Sequence, residues 1–176
     1  MIPVFISLFY LSDETLSLHH KHLFSMLLFV FAAITDWLDG YLARRLDQYS
    51  AFGAFLDPVA DKLMVAAALI MLVSFGHVDA VIAFIIIGRE IAISALREWM
   101  AQLGDSKSIA VSMIGKVKTT FQLIAIPFLL YQEPLLGLPI RQMGTLLIYL
   151  AAVLTLWSMV YYLMLAMPQI IKKSRE

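Results

Sequence analysis

A long apolar stretch near the carboxyl end of the chain, from Gln142 to Ile171, contains no charged side chain. It exceeds the run of about 20 apolar residues that a membrane-spanning helix needs. Hydrophobic residues make up 61% of the chain and charged residues 15%, against about 45–50% and about 25% in soluble domains. The chain is therefore predicted to be an integral membrane protein, because lipid covers apolar surface that a soluble fold of this size could not bury.

Four other segments are apolar enough to cross a bilayer, although charges interrupt them. They run approximately over 21–46, 58–76, 79–103 and 115–132, which makes five good spans with the stretch above. The opening segment Ile2–Leu11 is apolar but only about half a bilayer long. The sequence thus predicts an all-α polytopic membrane protein.

Charge and cysteine content exclude several classes of function. The formal net charge is +0 and neither terminus is strongly basic or acidic, so no nucleic-acid partner is expected. The chain has no Cys, which excludes disulfides, thiolate metal sites and cysteine nucleophiles. Any chemistry therefore depends on oxygen ligands and carboxylates.

Lys and Arg residues near the span ends predict the orientation. If the end of the second helix at Arg44-Arg45 is cytoplasmic, only Lys21 and Arg141 fall on the opposite side. The cations on the cytoplasmic side are then Lys62, Arg97, Lys107, Lys116, Lys118, Lys172, Lys173 and Arg175. The positive-inside rule accordingly predicts a cytoplasmic carboxyl terminus.

Four aspartates lie within or beside predicted spans. Asp36 and Asp39 are three residues apart at the end of one predicted helix, and Asp57 and Asp61 are four apart at the start of the next. Each spacing places its pair on one helix face. A short turn over 48–53 predicts that the two helices are antiparallel neighbours, so that the four carboxylates converge at one depth. Carboxylates are costly inside a membrane, which makes this cluster a functional hypothesis.

The four carboxylates would repel one another or take up protons unless cations neutralise them. Two Mg²⁺ or Mn²⁺ ions suit an all-oxygen shell, and such ions commonly hold phosphate-containing substrates. No His or Cys lies near the cluster, which argues against zinc. The alternative is a structural role, in which the aspartates form salt bridges with Arg44, Arg45 and Lys62.

Small residues accompany the aspartates. Gly40 and Ala43 share the Asp39 face, and Gly53 precedes Asp57 by four residues, so a planar group could approach the backbone closely there. Arg44 could contact a phosphate. Helix packing is the alternative explanation for the small residues.

These residues form the pattern Asp36-x2-Asp39-Gly40-x2-Ala43-Arg44-x8-Gly53-x3-Asp57-x3-Asp61. It resembles the signature of the CDP-alcohol phosphatidyltransferases at all eight positions. The resemblance implies a six-helix transmembrane bundle that uses two divalent ions to transfer a phosphatidyl or related group from a CDP-linked donor to an alcohol. The stretches 35–64, 89–100 and 114–120 are most similar to bacterial members that join CDP-diacylglycerol to glycerol 3-phosphate. This likeness implies phospholipid biosynthesis in the bacterial inner membrane, an active site facing the cytoplasm, and a homodimer.

The resemblance also implies a role for each matched residue. The implied metal ligands are Asp36, Asp39, Asp57 and Asp61. Asp61 is also the implied base that takes the proton from the acceptor hydroxyl. The implied nucleotide-binding residues are Asp39, Gly40, Ala43, Arg44 and Gly53.

The chain departs from the family at its start, where an amphipathic segment, an Asn-Thr-Arg pattern and a complete first span are usual. This sequence begins Met1-Ile2-Pro3 and contains no Asn. We therefore expect a truncated first helix within a single transmembrane domain covering 1–176, with a mis-assigned start or a truncation as the two explanations.

A dianionic acceptor requires fixed cations close to the metals. Arg97, Lys116 and Lys118 are the candidates, because they lie on the predicted cytoplasmic side of the fourth and fifth spans. The alternative is that they only set the orientation. Arg89 lies two turns before Arg97 and is a further candidate, or a structural partner of Glu90 or Glu98.

A lipid donor also predicts a lateral groove between helices, and Pro127 within the fifth span predicts a kink that could widen it. Elsewhere, His19 to His22 are expected in a solvated loop on the side opposite the aspartates. An interfacial aromatic belt is expected at Trp157, Tyr161 and Tyr162.

Two other functions compete with this one. The same chemistry could use another acceptor, namely serine, inositol phosphate or phosphatidylglycerol. A divalent-cation transporter would also place carboxylates in a membrane. It predicts polar residues through to the far side, whereas the stretches 23–34 and 63–76 supply only Ser25 and Ser74 as polar uncharged groups.

Overall fold

The computed structural model describes residues 2–11, 16–46, 51–102, 113–135 and 137–173. Within these ranges the chain forms six helices and no strand beyond an isolated bridge between Leu135 and Leu138. The helices are α1 (Ile2–Tyr10), α2 (Leu18–Leu46), α3 (Ala51–Ser74), α4 (Ala80–Gln102), α5 (Met113–Tyr131) and α6 (Ile140–Lys173). The prediction of an all-α fold is confirmed for this part of the chain.

Several helix boundaries differ from the predicted ones. α3 begins at Ala51, so Gly53 lies in its first turn and not in the connecting turn where we placed it. A glycine inside a helix costs only about 1 kcal/mol relative to alanine, which the apolar helix formers around it can offset. α2 begins at Leu18, so the prediction of a loop at His19 to His22 is wrong.

Among the described residues, two helices meet the length and hydropathy that crossing a bilayer requires. These candidate spans are Leu18–Leu42 in α2 and Ile140–Met167 in α6, and α5 contains a shorter apolar stretch, Val117–Tyr131. Large apolar side chains also face outward, including Phe84 at 76% exposed and Trp157 at 66%. Outward apolar surface of this kind is expected where lipid is the solvent. The helices thus agree with a membrane bundle, while the number of complete spans stays a prediction.

The central helix of the bundle is α5, which packs most extensively against α6 and also against α2 and α3. The main core combines side chains from all six helices, among them Phe5, Phe29, Leu72, Ile86, Ile126 and Ile148. The core residue of α2 lies in the middle of that helix, and the core residues of α3 lie in its second half. The core therefore aligns these helices and leaves the ends that carry the aspartates outside it.

The contact between α5 and α6 depends on Gly144. A Cβ atom at this position would lie 2.9 Å from Cβ of Phe128 and 3.0 Å from Cγ of Leu129. We expect Gly144→Ala to lower the free energy of unfolding by about 1–3 kcal/mol, because neither neighbour can move without disturbing the core. Thermal unfolding of the purified protein in detergent measures the effect.

Gly88→Ala is the matched control. A Cβ atom there would have no heavy atom within 4 Å, and alanine is the better helix former. We expect this variant to be as stable as the parent chain or slightly more stable. Equal stability of the two variants would contradict the assigned role of Gly144.

Candidate active site

The second and third helices run antiparallel. At one end of the bundle the ring centroids of His22, early in α2, and His77, just after α3, are 5.9 Å apart. At the other end, α2 ends at Leu46 and α3 begins at Ala51. We call the first the histidine end and the second the aspartate end.

Asp39 and Asp61 lie at similar distances from the histidine end. In α2, Asp39 is seventeen residues beyond His22, which corresponds to about 25 Å along an α-helix. In α3, Asp61 is thirteen residues before Ser74, the last residue of that helix, which corresponds to about 20 Å. The side chains of Asp36, Asp39 and Asp61 are all exposed. The fold thus places these three carboxylates toward one end of α2 and α3, although among the described residues α2 packs mainly against α5 and α3 mainly against α4.

Four of the predicted site residues have side chains outside the described part of the structure. They are Ala43, Arg44, Asp57 and Lys116, whose backbones lie in α2, α3 and α5. Gly40 lies in α2 and, like Gly53, is half-buried. The nucleotide-binding and metal-binding roles of these residues therefore stay predictions.

A second set of charged groups lies buried among α4, α5 and α6. The Lys118 ammonium donates a hydrogen bond to Oε1 of Glu90, and Nη1 of Arg89 lies 3.6 Å from the same oxygen. Nη2 of Arg89 donates to Oγ of Ser158 at 2.9 Å. We call Arg89, Glu90, Lys118 and Ser158 the buried polar cluster. The pairing of Arg89 with Glu90, one of its two predicted roles, is therefore present.

Arg97 lies closer to the aspartate end than Glu90 does. It lies seventeen residues after Ala80, the first residue of α4, whereas Glu90 lies ten residues after it. These separations correspond to about 25 Å and about 15 Å from the start of the helix. Since α4 starts at the histidine end, Arg97 reaches nearly the same level as Asp39 and Asp61, and the buried polar cluster lies deeper in the bundle.

Several hydrogen-bond donors around these cations lack partners among the described residues. The buried atoms without a partner include Nε of Arg89, Nε of Arg97, Nε2 of Gln122 and Oγ1 of Thr155. Buried polar atoms are normally satisfied. With three cations and one carboxylate nearby, this region is suited to an anion.

The sequence pointed to Arg89, Arg97 and Lys118 but missed the neutral members of this region. Gln122 follows Lys118 by four residues, and Thr155 precedes Ser158 by three within the charge-free stretch. Polar residues at helical spacing inside an apolar span were the available signal. The aromatic belt prediction is wrong for Tyr162, which is fully buried, whereas Trp157 and Tyr161 are exposed.

Comparison with known proteins places these residues in a family. The family model described as CDP-alcohol phosphatidyltransferase matches residues 1–157. The chain belongs to the CDP-alcohol phosphatidyltransferase family. Asp36, Asp39 and Asp61 lie within the matched range.

Individual members of the phosphatidyltransferase family are about half identical to this chain. A CDP-diacylglycerol--glycerol-3-phosphate 3-phosphatidyltransferase of Haemophilus influenzae is 48% identical over 168 residues, covering 94% of this chain and 86% of the relative. Proteins of the same name from Salmonella typhimurium and Pectobacterium atrosepticum are each 50% identical over 165 residues, covering 93% of this chain and 86% of each relative.

Divalent ions fit the aspartate end of this phosphatidyltransferase by donor chemistry. Asp36, Asp39 and Asp61 offer carboxylate oxygens there, which are ligands that Mg²⁺ and Mn²⁺ prefer. Among the side chains that the structure describes, no three acidic or histidine groups come together closely enough to hold an ion. Asp57, the fourth member of the set, lies outside that description.

An apolar groove of about 300 Å³ lies between α2 and α5 of this family member. Its walls are Phe29, Val30, Ala33, Ile34 and Trp37 from α2, with Leu123 and Pro127 from α5. Ile34 and Trp37 are largely exposed, so the groove opens to the outside of the bundle. Trp37, in the wall of the groove, is the sequence neighbour of Asp36.

The histidine end has no arrangement that suggests catalysis. Nδ1 of His19 lies 2.5 Å from Oε1 of Glu133, which ties α2 to the loop before α6. Burial, with smaller contributions from His22 and Arg141, lowers the pKa of His77 to about 4. The His77 ring is therefore neutral at neutral pH and acts as a packing group.

Proposed function

We propose that this chain transfers the phosphatidyl group of CDP-diacylglycerol to sn-glycerol 3-phosphate, giving phosphatidylglycerophosphate and CMP. The observation that carries the proposal is the identity of about half the residues, over more than nine tenths of the chain, with relatives that bear the name of this reaction. The geometry supports it, because exposed carboxylates and buried cations approach the same end of the bundle. These are the two sets of groups that a diphosphate donor and a phosphate acceptor need.

The aspartates would divide the chemistry between them. Asp36, Asp39, Asp57 and Asp61 would hold two Mg²⁺ or Mn²⁺ ions, which when bound neutralise the diphosphate and stabilise charge on the leaving CMP. Asp61 would also accept the proton of the acceptor hydroxyl as that oxygen attacks the phosphorus bearing diacylglycerol. Gly40, Ala43, Arg44 and Gly53 would hold the cytidine and its phosphates.

The acceptor phosphate would bind beside Arg97. Its guanidinium has no hydrogen bond or ion pair among the described residues, and its Nε is buried. Arg89 and Lys118 share Glu90, so the three groups together keep one positive charge. Lys116, two residues before Lys118, would complete the site. A dianion would thus meet more positive than negative charge there.

An acyl chain of the donor would occupy the groove between α2 and α5. The groove is lined by apolar side chains, and Trp37 in its wall follows Asp36 in α2. This would suit a lipid whose tail stays in hydrocarbon while its diphosphate reaches the carboxylates. We expect Ala33→Trp, which fills the groove, to raise the KM for long-chain CDP-diacylglycerol about tenfold. The KM for glycerol 3-phosphate should stay unchanged.

Ala92→Trp is the matched control for this groove. Ala92 is exposed on α4 and lines no part of the groove, so its replacement should leave both KM values unchanged. Initial rates at varied donor concentration in mixed micelles measure the effect. An unchanged KM for the donor in Ala33→Trp would show that the tail binds elsewhere.

The proposal extends to the cellular setting. The chain would form one transmembrane domain over residues 1–176 in the bacterial inner membrane, with the aspartate end and the carboxyl terminus on the cytoplasmic side. The distribution of Lys and Arg supports this orientation, since only Lys21 and Arg141 lie toward the histidine end. A homodimer would be the assembled form.

The decisive experiment measures CMP release by the purified, detergent-solubilised chain supplied with CDP-diacylglycerol and Mg²⁺. Separate reactions contain glycerol 3-phosphate, serine, inositol phosphate, phosphatidylglycerol or no acceptor. We expect release only with glycerol 3-phosphate, and none after chelation of the metal. Release with a different acceptor would keep the chemistry and overturn the substrate. No release from folded protein, together with Mg²⁺ flux into liposomes, would favour a transporter.

A further inference from the structure

The side chain of Tyr162 on α6 lies between two guanidinium groups. The ring centroid is 5.6 Å from the guanidinium carbon of Arg89 and 5.4 Å from that of Arg97. The two arginines are eight residues apart on α4, and Tyr162 is fully buried against that helix. One aromatic ring thus contacts both arginines of the proposed acceptor site.

The two arginines differ in what else holds them. Arg89 has Ser158 as a hydrogen-bond partner and Glu90 as a nearby carboxylate. Arg97 has neither kind of partner among the described residues, and its buried Nε is unsatisfied. Within the described part of the chain, the Arg97 guanidinium is therefore held by its attraction to the face of Tyr162. A cation above an aromatic ring is attracted by the negative face of that ring, more strongly when both are removed from water.

The two guanidinium groups carry like charges, so each would gain by turning away from the other. The ring opposes this, because each cation is attracted to the same aromatic group. An aromatic ring accepts no conventional hydrogen bond from the Nη atoms, so these stay available to a ligand. The arrangement orients a pair of arginines without neutralising them, which a carboxylate in the same place would do.

We propose that Tyr162 is a positioning residue for the acceptor substrate, whose aromatic ring holds Arg97, and secondarily Arg89, in the orientation that binds the acceptor phosphate. This inference rests on the proposed function. It assigns Tyr162 no contact with substrate. Its effect should therefore appear in the KM for glycerol 3-phosphate and should require Arg97.

The first test is a double-mutant cycle. We expect Tyr162→Leu to raise the KM for glycerol 3-phosphate about tenfold, with kcat and the KM for CDP-diacylglycerol changed less than about twofold. In an Arg97→Ala background the same substitution should add less than about twofold, because the group through which Tyr162 acts is gone. Trp157→Leu, an aromatic replacement at an exposed position of α6, is the control and should leave all constants unchanged.

A second series removes the ring's attraction without changing its size. Phenylalanine carrying one, two or three ring fluorines is incorporated at position 162, which progressively weakens the negative face of the ring. We expect the KM for glycerol 3-phosphate to rise with each fluorine, relative to unsubstituted phenylalanine, while thermal stability stays constant. This series keeps the inference testable if Tyr162→Leu does not fold.

The outcomes separate the inference from the proposed function. A parent chain that does not use glycerol 3-phosphate would overturn both. An active parent chain with a flat KM across the fluorine series would overturn the role of Tyr162 alone. Additive effects of Tyr162→Leu and Arg97→Ala would also overturn it, since the ring would then act independently of Arg97.

Discussion

Replacing Asp61 with asparagine is expected to abolish CMP release, with a fall in kcat of about a thousandfold or more. Asparagine keeps the size of the side chain but can neither accept the proton of the acceptor hydroxyl nor supply a charged ligand oxygen. Loss of a general base alone costs about 10²–10⁴ in rate, and loss of a metal ligand adds to that. Initial rates of CMP release at saturating donor and acceptor measure the effect.

Asp79→Asn is the matched control for this variant. Asp79 lies in the turn before α4 at the histidine end, where its Oδ1 accepts a hydrogen bond from the Val81 amide at 2.7 Å. Asparagine caps a helix as well as aspartate does, so both fold and rate should persist. Substantial CMP release by Asp61→Asn would refute the base role. If high Mg²⁺ restored CMP release in Asp61→Asn, the role of Asp61 would be metal binding only.

Replacing Glu90 with glutamine is expected to lower the free energy of unfolding by about 3–5 kcal/mol, the usual cost of removing one partner from a buried ion pair. Lys118 and Arg89 are 2% and 5% exposed, so water cannot replace the lost carboxylate. The folded protein would then hold two buried cations with no counter-charge near them in the described part of the chain. Unfolding by SDS titration, followed by circular dichroism, measures the change.

Glu98→Gln provides the comparison on the same helix. Glu98 is exposed, and its replacement should change stability by less than about 0.5 kcal/mol. The double variant Glu90→Gln with Lys118→Met should be more stable than Glu90→Gln alone, because it removes one of the two stranded cations. A double variant that is less stable than the single one would contradict the assigned pairing.

The sequence predicted the helices and the aspartate end from local information. Apolar runs interrupted at Gly76 and at 133–139 located most helix ends to within a few residues. The spacing of the aspartates predicted two pairs of carboxylates at the ends of neighbouring helices. The structure places Asp36, Asp39 and Asp61 toward one end of α2 and α3, and the convergence of all four stays a prediction. The predicted start of α3 was wrong because we assigned Gly53 to a turn, whereas a glycine often marks a turn but does not prevent helix formation. The His19 to His22 prediction was wrong for a similar reason, since polar composition did not prevent helix formation in the first turn of α2.

The arrangement around Tyr162 could not be predicted in the same way. Whether Tyr162 faces lipid or Arg97 depends on how α6 is rotated against α4, and the only periodic signal for that rotation is the spacing of Thr155, Ser158 and Tyr162 in an otherwise apolar stretch. The partner of Lys118 was equally open, since Glu90 and Glu98 both lie on α4. Only the packing of three helices decides these contacts.

The opening of the groove beside Ile34 and Trp37 affects how the enzyme samples its donor. A substrate that enters sideways never leaves the bilayer, so the concentration that matters is its surface density among other lipids. Diluting the donor with inert phospholipid should slow turnover even when the bulk amount of donor is constant. Glycerol 3-phosphate, arriving from water, should obey ordinary volume concentration. The reaction rate would thus depend on the surface density of the donor in the bilayer and on the volume concentration of glycerol 3-phosphate in water.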